Sequence, residues 1–179
     1  MKGRVLFKET QTFKGTFFWW LQTILIVAII GGLILGKLLM IFGVQAFQSI
    51  QPEDSESMIA IIIALIVLGG VFWLLSLIKM VVEIDEAGLY YTYFPFVSSK
   101  RSISKSDLIS MSVRKYSPIL EYGGWGYRRS FRNGKALNVQ GKYGLQVEYK
   151  DGKKLLLGTQ KPAELDQVVK QLKEKWGMH

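Results

Sequence analysis

The chain has 179 residues and is basic, because 23 Lys and Arg outnumber 14 Asp and Glu and give a formal net charge of +9 at pH 7. It contains no Cys, and its only His is the last residue, His179. We therefore expect no disulfide, no metal site, no other cofactor and no His or Cys catalytic group. Almost half of the residues are hydrophobic, and the N-terminal portion is the richest in them.

A first membrane-spanning helix is predicted for residues 15–43. No residue from Gly15 to Gly36 is charged, and about 20 such residues are what a bilayer core requires. The segment is too long for a cleavable signal peptide and lacks a convincing small-residue cleavage site. Lys37 lies near the far end of this helix, where we expect its ammonium group to extend towards the membrane surface rather than to act inside the bilayer.

A second membrane-spanning helix is predicted for residues 58–79, and charge indicates how the two helices are oriented. The connecting loop, residues 44–57, contains acidic residues but no Lys or Arg, whereas residues 1–14 contain four basic residues. Basic residues favour the cytoplasmic side of a membrane. We therefore predict a cytoplasmic basic N-terminus at 1–14, a short extracytoplasmic loop at 44–57 and a cytoplasmic domain at 80–179.

Four glycines mark candidate packing surfaces on the helices. Gly32 and Gly36 have the GxxxG spacing in the first helix, and Gly69 and Gly70 are adjacent in the second. Small residues allow helix backbones to approach closely in lipid. The glycines predict either packing of the helical hairpin on itself or an interface with a second copy or another membrane protein, and we favour the first.

The segment that follows the helices has the alternation typical of strands. Two alternating runs flank Asp85 to Gly88 and predict a β-hairpin, with Pro95 ending its second strand. Lys100 to Ser104 and Ser110 to Tyr116 predict two further strands. Asn133-Gly134 is a strong hairpin-turn signal.

The C-terminal part combines a well-defined hairpin with a helix. Gly144 to Lys150 alternates, Asp151-Gly152 is a favoured hairpin turn, and Lys153 to Gly158 predicts the returning strand. An amphipathic helix is predicted to begin at Pro162 and to bury one apolar stripe, formed by Leu165, Val168, Val169, Leu172 and Trp176. The complete pattern predicts an α+β domain of about seven antiparallel strands in a partly open barrel, capped by one C-terminal helix.

This order of elements resembles a pleckstrin-homology (PH) domain. More specifically, the run from Trp125 to Arg129, "WGYRR", and the run from Asn133 to Val169 resemble bacterial PH-like domains attached to short membrane hairpins. The resemblance covers about residues 80–176 and implies a membrane α-helical hairpin joined to a PH-like domain. It also implies a membrane-tethered binding or scaffolding module of bacteria. With the orientation that the basic residues indicate, we expect a multi-pass protein of the inner membrane with both termini in the cytoplasm. No catalytic motif accompanies the resemblance.

A cluster of basic residues is the main candidate binding patch. It comprises Arg128, Arg129, Arg132, Lys135 and Lys142, with aromatic residues interleaved. Three interpretations are ranked in this order: a solvated basic face beside an anionic membrane, a pocket for anionic lipid headgroups, and an RNA-binding surface. Because alternate residues of a strand share a face, the five side chains are not all expected to point the same way.

Two other features are assigned structural roles. The run Gly123 to Gly126, "GGWG", lacks the following helix that a phosphate-binding loop requires, so we interpret it as a turn or bulge. The acidic residues occur without a His, Cys or metal signature, and we therefore expect no enzymatic activity. The sequence favours a membrane-anchored interaction module that serves as a scaffold or accessory subunit for another membrane protein or for itself. A sensor of anionic lipid headgroups is the alternative.

Overall fold

The computed structural model describes residues 4–42 and 55–178 and divides the chain into two compact units. One unit is the helical segment, residues 14–76, and the other combines residues 4–13 with residues 77–178. Residues 44–54 of the predicted extracytoplasmic loop lie outside the described residues. The N-terminal segment therefore belongs to the same unit as the C-terminal domain, although the two are far apart in sequence.

The helical unit contains α1, Phe17–Ile41, and α2, Ser55–Leu77. Both are long and apolar enough to cross a membrane. The helices contact each other through the rings of Trp19 and Phe72, whose centroids are 5.4 Å apart. In addition, Nε2 of Gln22 donates a 2.6 Å hydrogen bond to the backbone oxygen of Leu68.

The second unit begins with a four-stranded antiparallel sheet. Its strands are β1 (Val5–Thr12), β2 (Lys79–Asp85), β3 (Gly88–Phe94) and β4 (Val97–Ser104), in that spatial order. The predicted β2–β3 hairpin is confirmed, and its turn is stabilised by the carboxylate of Asp85, which accepts hydrogen bonds from the backbone of Ala87 and Gly88 at 2.8 and 2.9 Å. Strand β1 arises from the segment that the sequence analysis treated only as a basic N-terminus.

A five-stranded sheet follows, after one turn of 3-10 helix at Lys105–Asp107. Its strands are β5 (Leu108–Lys115), β6 (Gly126–Ser130), β7 (Gly134–Asn138), β8 (Tyr143–Tyr149) and β9 (Lys154–Thr159), and a short helix, α3 (Pro118–Tyr122), precedes β6. The spatial order is β5-β8-β9-β7-β6, and β7 pairs with β9 in parallel.

The number and closure of the strands differ from the prediction. The described residues form nine strands in two open sheets, rather than about seven antiparallel strands in one partly open barrel. The two sheets face each other, and the hydroxyl of Tyr93 in β3 donates a 3.1 Å hydrogen bond to the backbone oxygen of Asn138 in β7. Phe7, Ile84, Leu137 and Leu157 are among the fully buried side chains.

The predicted C-terminal helix is confirmed as α4, Pro162–Trp176. Its five predicted stripe residues are all buried, and the helix packs on β1, β5 and β8. Gly177 ends the helix in the left-handed conformation that favours glycine, with φ of 62°. At the same end of the helix, Nε1 of Trp176 donates a 3.4 Å hydrogen bond to the backbone oxygen of Glu86 in the β2–β3 turn.

Candidate functional site

The structure divides the predicted basic patch between different surfaces. Arg129, Arg132 and Lys135 line one cavity, whereas Arg128 and Lys142 do not. Arg128 instead donates from Nε to the backbone oxygen of Trp125 at 3.0 Å. Lys142 lies in the β7–β8 connection, with its side chain exposed. Only three of the five predicted residues therefore contribute to one site.

The β6–β7 register explains this division. Arg129 lies directly opposite Lys135, and Arg128 lies directly opposite Ala136. Because directly paired residues of a ladder project from the same face and successive residues alternate, Arg129 and Lys135 share the face turned towards the four-stranded sheet. Arg128 projects from the other face.

Two adjoining cavities open between the sheets and form the candidate site, which we call the groove. Their volumes are about 800 and about 470 Å³, and they share Tyr91, Lys135 and Leu155 in their linings. The larger cavity is lined by five cations: Arg129, Arg132, Lys135, Lys153 and Lys154. The smaller one adds Arg101 and the rings of Phe96 and Tyr127.

The groove exists because the sheets do not close on one side. Strand β4 is an edge of the four-stranded sheet, and β6 is an edge of the five-stranded sheet. Polar residues occupy inward-facing positions on these strands: Arg101 lies opposite Tyr91, and Arg129 lies opposite Lys135. Charged side chains at inward positions do not pack into a dry core, so the edges remain apart.

The two ends of the groove differ. At one end the rings of Phe96 and Tyr127 stack at 5.8 Å with an interplanar angle of 18° and span the gap between the sheets. We call this the closed end. The other end carries Arg132 and Lys153 together with the fully exposed side chain of Phe131. We call this the entrance.

Most of the cations in the groove have no counter-ion within the protein. Lys154 pairs with Glu148 at 2.9 Å, and Lys153 pairs with Asp151. Among the described residues, no carboxylate lies within 4.0 Å of the charged groups of four other lining residues: Arg101, Arg129, Arg132 and Lys135. Like charges directly opposite on neighbouring strands are destabilising. The positive charges of Arg129 and Lys135 therefore repel each other, and a bound anion would reduce this repulsion.

Two tyrosines supply neutral donors beside these cations. Burial raises the pKa of Tyr91, and burial together with the nearby Tyr91 raises the pKa of Tyr149. Both hydroxyls are therefore protonated at neutral pH. In residues 4–42 and 55–178 neither hydroxyl has a hydrogen-bond partner, so both remain available to a ligand oxygen in the groove.

Several residues of this site were missed by the sequence analysis. These residues are Tyr91, Arg101, Tyr149, Lys153 and Lys154. They come from four different strands and one turn, and only the packing of the two sheets brings them together. One available signal was strand parity, since Arg101 and Ile103 must share a face and Ile103 is a core residue.

The glycine-rich run adopts the predicted structural role. Gly123 ends α3 in the left-handed conformation, with φ of 73°, and strand β6 begins at Gly126. The indole Nε1 of Trp125 donates a 3.1 Å hydrogen bond to the backbone oxygen of Gly141. The run is therefore a turn that leads into a strand.

The membrane-helix glycines occupy different environments. A Cβ atom added at Gly32, Gly69 or Gly70 meets no atom within 4 Å in the described part of the chain, whereas Gly36 is buried. Three of these positions thus offer open helix surface. The packing role that the sequence suggests for them stays a prediction.

Comparisons with models of protein families, with curated proteins and with solved structures find no match to this chain. The geometry of the groove is therefore the main basis for a functional interpretation.

Proposed function

We propose that this chain is a membrane-anchored interaction module, a scaffold or accessory subunit, that binds an anionic group of its partner in the groove. One observation carries the proposal: Arg129 and Lys135 are directly opposed on neighbouring strands without a carboxylate partner among the described residues. They line a cavity large enough for a ligand, and an arriving anion would relieve their mutual repulsion.

Three features support anchoring in a membrane. Large apolar side chains are exposed on both helices, including Ile24 and Ile66 at 63% and 67%, and a bilayer would cover them. Strands β1 and β2 flank the helical segment and pair with each other, which supports a hairpin whose outer helix ends lie on the same side. The basic N-terminal residues favour the cytoplasmic side of an inner membrane.

The arrangement of the second unit supports a PH-like assignment in its broad features. Two facing β-sheets are followed by a C-terminal helix that packs on them, as in the order of elements on which the resemblance rests. The parallel β7–β9 pair and the strand contributed by the N-terminus are departures from that pattern. We therefore base the proposed function on the groove and not on the resemblance.

Binding of anionic lipid headgroups is the second candidate. The three groove arginines and the tyrosine hydroxyls suit phosphate oxygens, because a guanidinium group presents paired donors to a phosphate. The unpaired edges of β4 and β6 favour the first candidate, because an extended protein segment can form main-chain hydrogen bonds along them and a headgroup cannot. The closed end adjoins the β3–β4 turn, close to Phe94. The entrance lies at the opposite end of the groove.

The test is purification of the full-length protein from native membranes, with identification of the proteins and lipids that accompany it. The variant R129A/K135A removes two groove cations, and R128A/K142A removes the same charge outside the groove. We expect a stoichiometric protein partner that is lost with R129A/K135A and kept with R128A/K142A, both variants unfolding at similar temperatures. A partner retained by both variants would contradict the role of the groove, and retained anionic lipid without protein would favour the second candidate.

Orientation is tested separately with reporter fusions. A reporter active only outside the cytoplasm is expected to function in the loop at residues 51–57 and to be silent after His179. The reverse pattern would overturn the proposed orientation.

A further inference from the structure

We propose that the occupant of the groove is an acidic, extended terminal segment of a partner protein, which enters at the end marked by Arg132 and Lys153. This inference rests on the proposed function and specifies the chemistry of the partner. It follows from the shape of the groove, the distribution of charge along it and the unpaired strands that border it.

The shape of the groove suits the end of a chain. The stacked rings of Phe96 and Tyr127 span the gap at the closed end, so a segment that runs through the groove would have to separate them. A segment that enters beside Arg132 can instead end near those rings. The lining changes in the same direction. Five cations line the larger cavity at the entrance, whereas the smaller cavity near the closed end has two, Arg101 and Lys135, among aromatic, aliphatic and serine residues.

The entrance and the closed end lie at opposite ends of the four-stranded sheet. The backbone nitrogen of Lys150 donates a 3.0 Å hydrogen bond to the backbone oxygen of Asp107. This bond places the β8–β9 turn, which contains Lys153, beside the β4–β5 connection. That connection follows Ser104, which pairs with Gly88 at the far end of β3 from Lys79. The seven residues of β3 separate the two ends by about 20 Å at ~3.3 Å per residue.

The strands that border the groove can bind a main chain. Both β4 and β6 are sheet edges, with one side of each backbone unpaired in its sheet. Five consecutive β4 residues, from Ser98 to Ser102, are exposed. An extended segment laid along such an edge gains main-chain hydrogen bonds, while its alternate side chains enter the adjoining pocket. Acidic side chains at those alternate positions would meet Arg101, Arg129 and Lys135.

Phe131 provides an additional contact at the entrance. Its ring is fully exposed in the turn between β6 and β7 and is part of the cavity lining. Aromatic residues that a partner covers contribute strongly to protein interfaces. An apolar residue in the partner, upstream of its acidic terminal segment, would cover this ring.

The binding test uses full-length protein in nanodiscs of zwitterionic lipid and a labelled peptide that alternates Glu with Val and has a free C-terminus. We expect binding that R129A/K135A weakens about tenfold or more, since charge-assisted hydrogen bonds are lost. The matched variant R128A/K142A should change the affinity less than about threefold, because it lowers the overall positive charge of the protein without removing a group that lines the groove. The same peptide with Gln in place of Glu should not bind.

A placement test uses the absence of Cys from the native sequence. Ser99 lines the groove, and Ser102 is an exposed residue of the same strand with the opposite parity. A peptide with a Cys next to its C-terminus should form a disulfide with S99C and not with S102C. Equal trapping by both variants would overturn the proposed location.

Other ligands give distinct outcomes. One such outcome is displacement of the peptide by inorganic polyphosphate, or by nanodiscs that contain phosphatidylglycerol, that depends on Arg129 and Lys135 and is accompanied by no crosslink of the peptide at position 99. That result would overturn the peptide inference and leave the proposed anion site in place. Failure of the peptide to bind would also overturn the inference. In that case, loss of the native partner with R129A/K135A would still support the proposed function.

Discussion

Oε2 of Glu9 accepts a 2.6 Å hydrogen bond from the hydroxyl of Thr159, and Oε1 of the same carboxylate accepts a 2.9 Å hydrogen bond from the backbone nitrogen of Gln160. Glu9 lies in β1, and Thr159 is the last residue of β9. Nearby, Nε2 of Gln11 donates a 2.8 Å hydrogen bond to the backbone oxygen of Gly158. Polar contacts thus join the first strand of the chain to the last.

Substitution of Glu9 tests the importance of this connection. In E9A the Thr159 hydroxyl and the Gln160 amide lose their acceptor in a buried environment, so the free energy of unfolding should fall by about 1–3 kcal/mol. Denaturant unfolding of the purified protein measures the change. E174A, which removes a carboxylate from an exposed position of α4, is the control and should have little effect. Equal stability of E9A and the parent would show that the β1–β9 contact contributes little.

Replacement of the helical segment tests whether β1 belongs to the β-rich unit. Thr12 and Lys79 are paired neighbours in the β1–β2 ladder, so a short Gly-Ser linker in place of residues 14–76 can join the two strands. We expect this shortened chain to be soluble and to unfold cooperatively. A chain that begins at residue 77 lacks β1 and leaves β2 as an exposed edge, so it should be markedly less stable or aggregate.

Gly134 and Gly152 have similar backbone conformations but different surroundings. Comparing their substitution by Ala therefore distinguishes backbone strain from a steric clash. Gly134 and Gly152 have φ values of 76° and 79°, and each therefore resists substitution by about 1–2 kcal/mol. A Cβ at Gly134 would also clash with the backbone carbonyl of Lys154, whereas a Cβ at Gly152 meets no atom within 4 Å. Thermal unfolding should show G134A to be much less stable than G152A. Equal losses would mean that β7 and β9 can separate at little cost.

The stability of the β-rich unit should depend on pH through Glu121. Its carboxylate lies 2.7 Å from Nη2 of Arg114, and this hydrogen bond lowers the pKa of Glu121 below its ordinary value of 4.5. The folded state then binds a proton less readily than the unfolded state does, so ionised Glu121 stabilises the fold above pH 4.5. That contribution is lost as the pH falls from 4.5 through the lowered folded-state pKa.

The variant E121Q isolates this effect. Its free energy of unfolding should be below that of the parent at neutral pH, and the difference should narrow as the medium becomes acidic. Denaturant unfolding at a series of pH values provides the comparison. When Arg114 is replaced by Gln, the hydrogen bond that mainly lowers the pKa of Glu121 is absent. The difference in free energy of unfolding caused by E121Q should then depend little on pH. A difference that is constant with pH would contradict the assignment.

Local sequence signals predicted the elements whose burial pattern is simple. The stripe on α4 and the turns at Asp85 to Gly88 and at Asp151-Gly152 were identified because periodicity and turn chemistry agree there. Strand β1 was missed because two of its three buried side chains, Glu9 and Gln11, are polar and hide the alternation. Their partners are at the other end of the sequence, and no local pattern reveals them.

The site was predictable only in part for a similar reason. The sequence located Arg129, Arg132 and Lys135 but could not separate them from Arg128 and Lys142, because that division depends on register. The turn signal at Asn133-Gly134 was correct in location, yet the structure places the loop at residues 131–133 and makes Gly134 the first residue of β7. A shift of one residue exchanges the faces of a strand. The pairing of Arg129 with Lys135 therefore required the structure.

The insertion of two helices between paired strands has a consequence for biosynthesis. Strand β1 leaves the ribosome first, but its partner β2 is made only after both helices have been synthesised. If the helices enter a bilayer as proposed, β1 therefore remains unpaired until that step is complete. A chain in which only one helix crossed would leave β1 and β2 on opposite sides of the membrane and unable to pair. Under the proposed anchoring, completion of the β1–β2 ladder would act as a check on insertion, because β1 and β2 can pair only when both lie on the same side of the membrane.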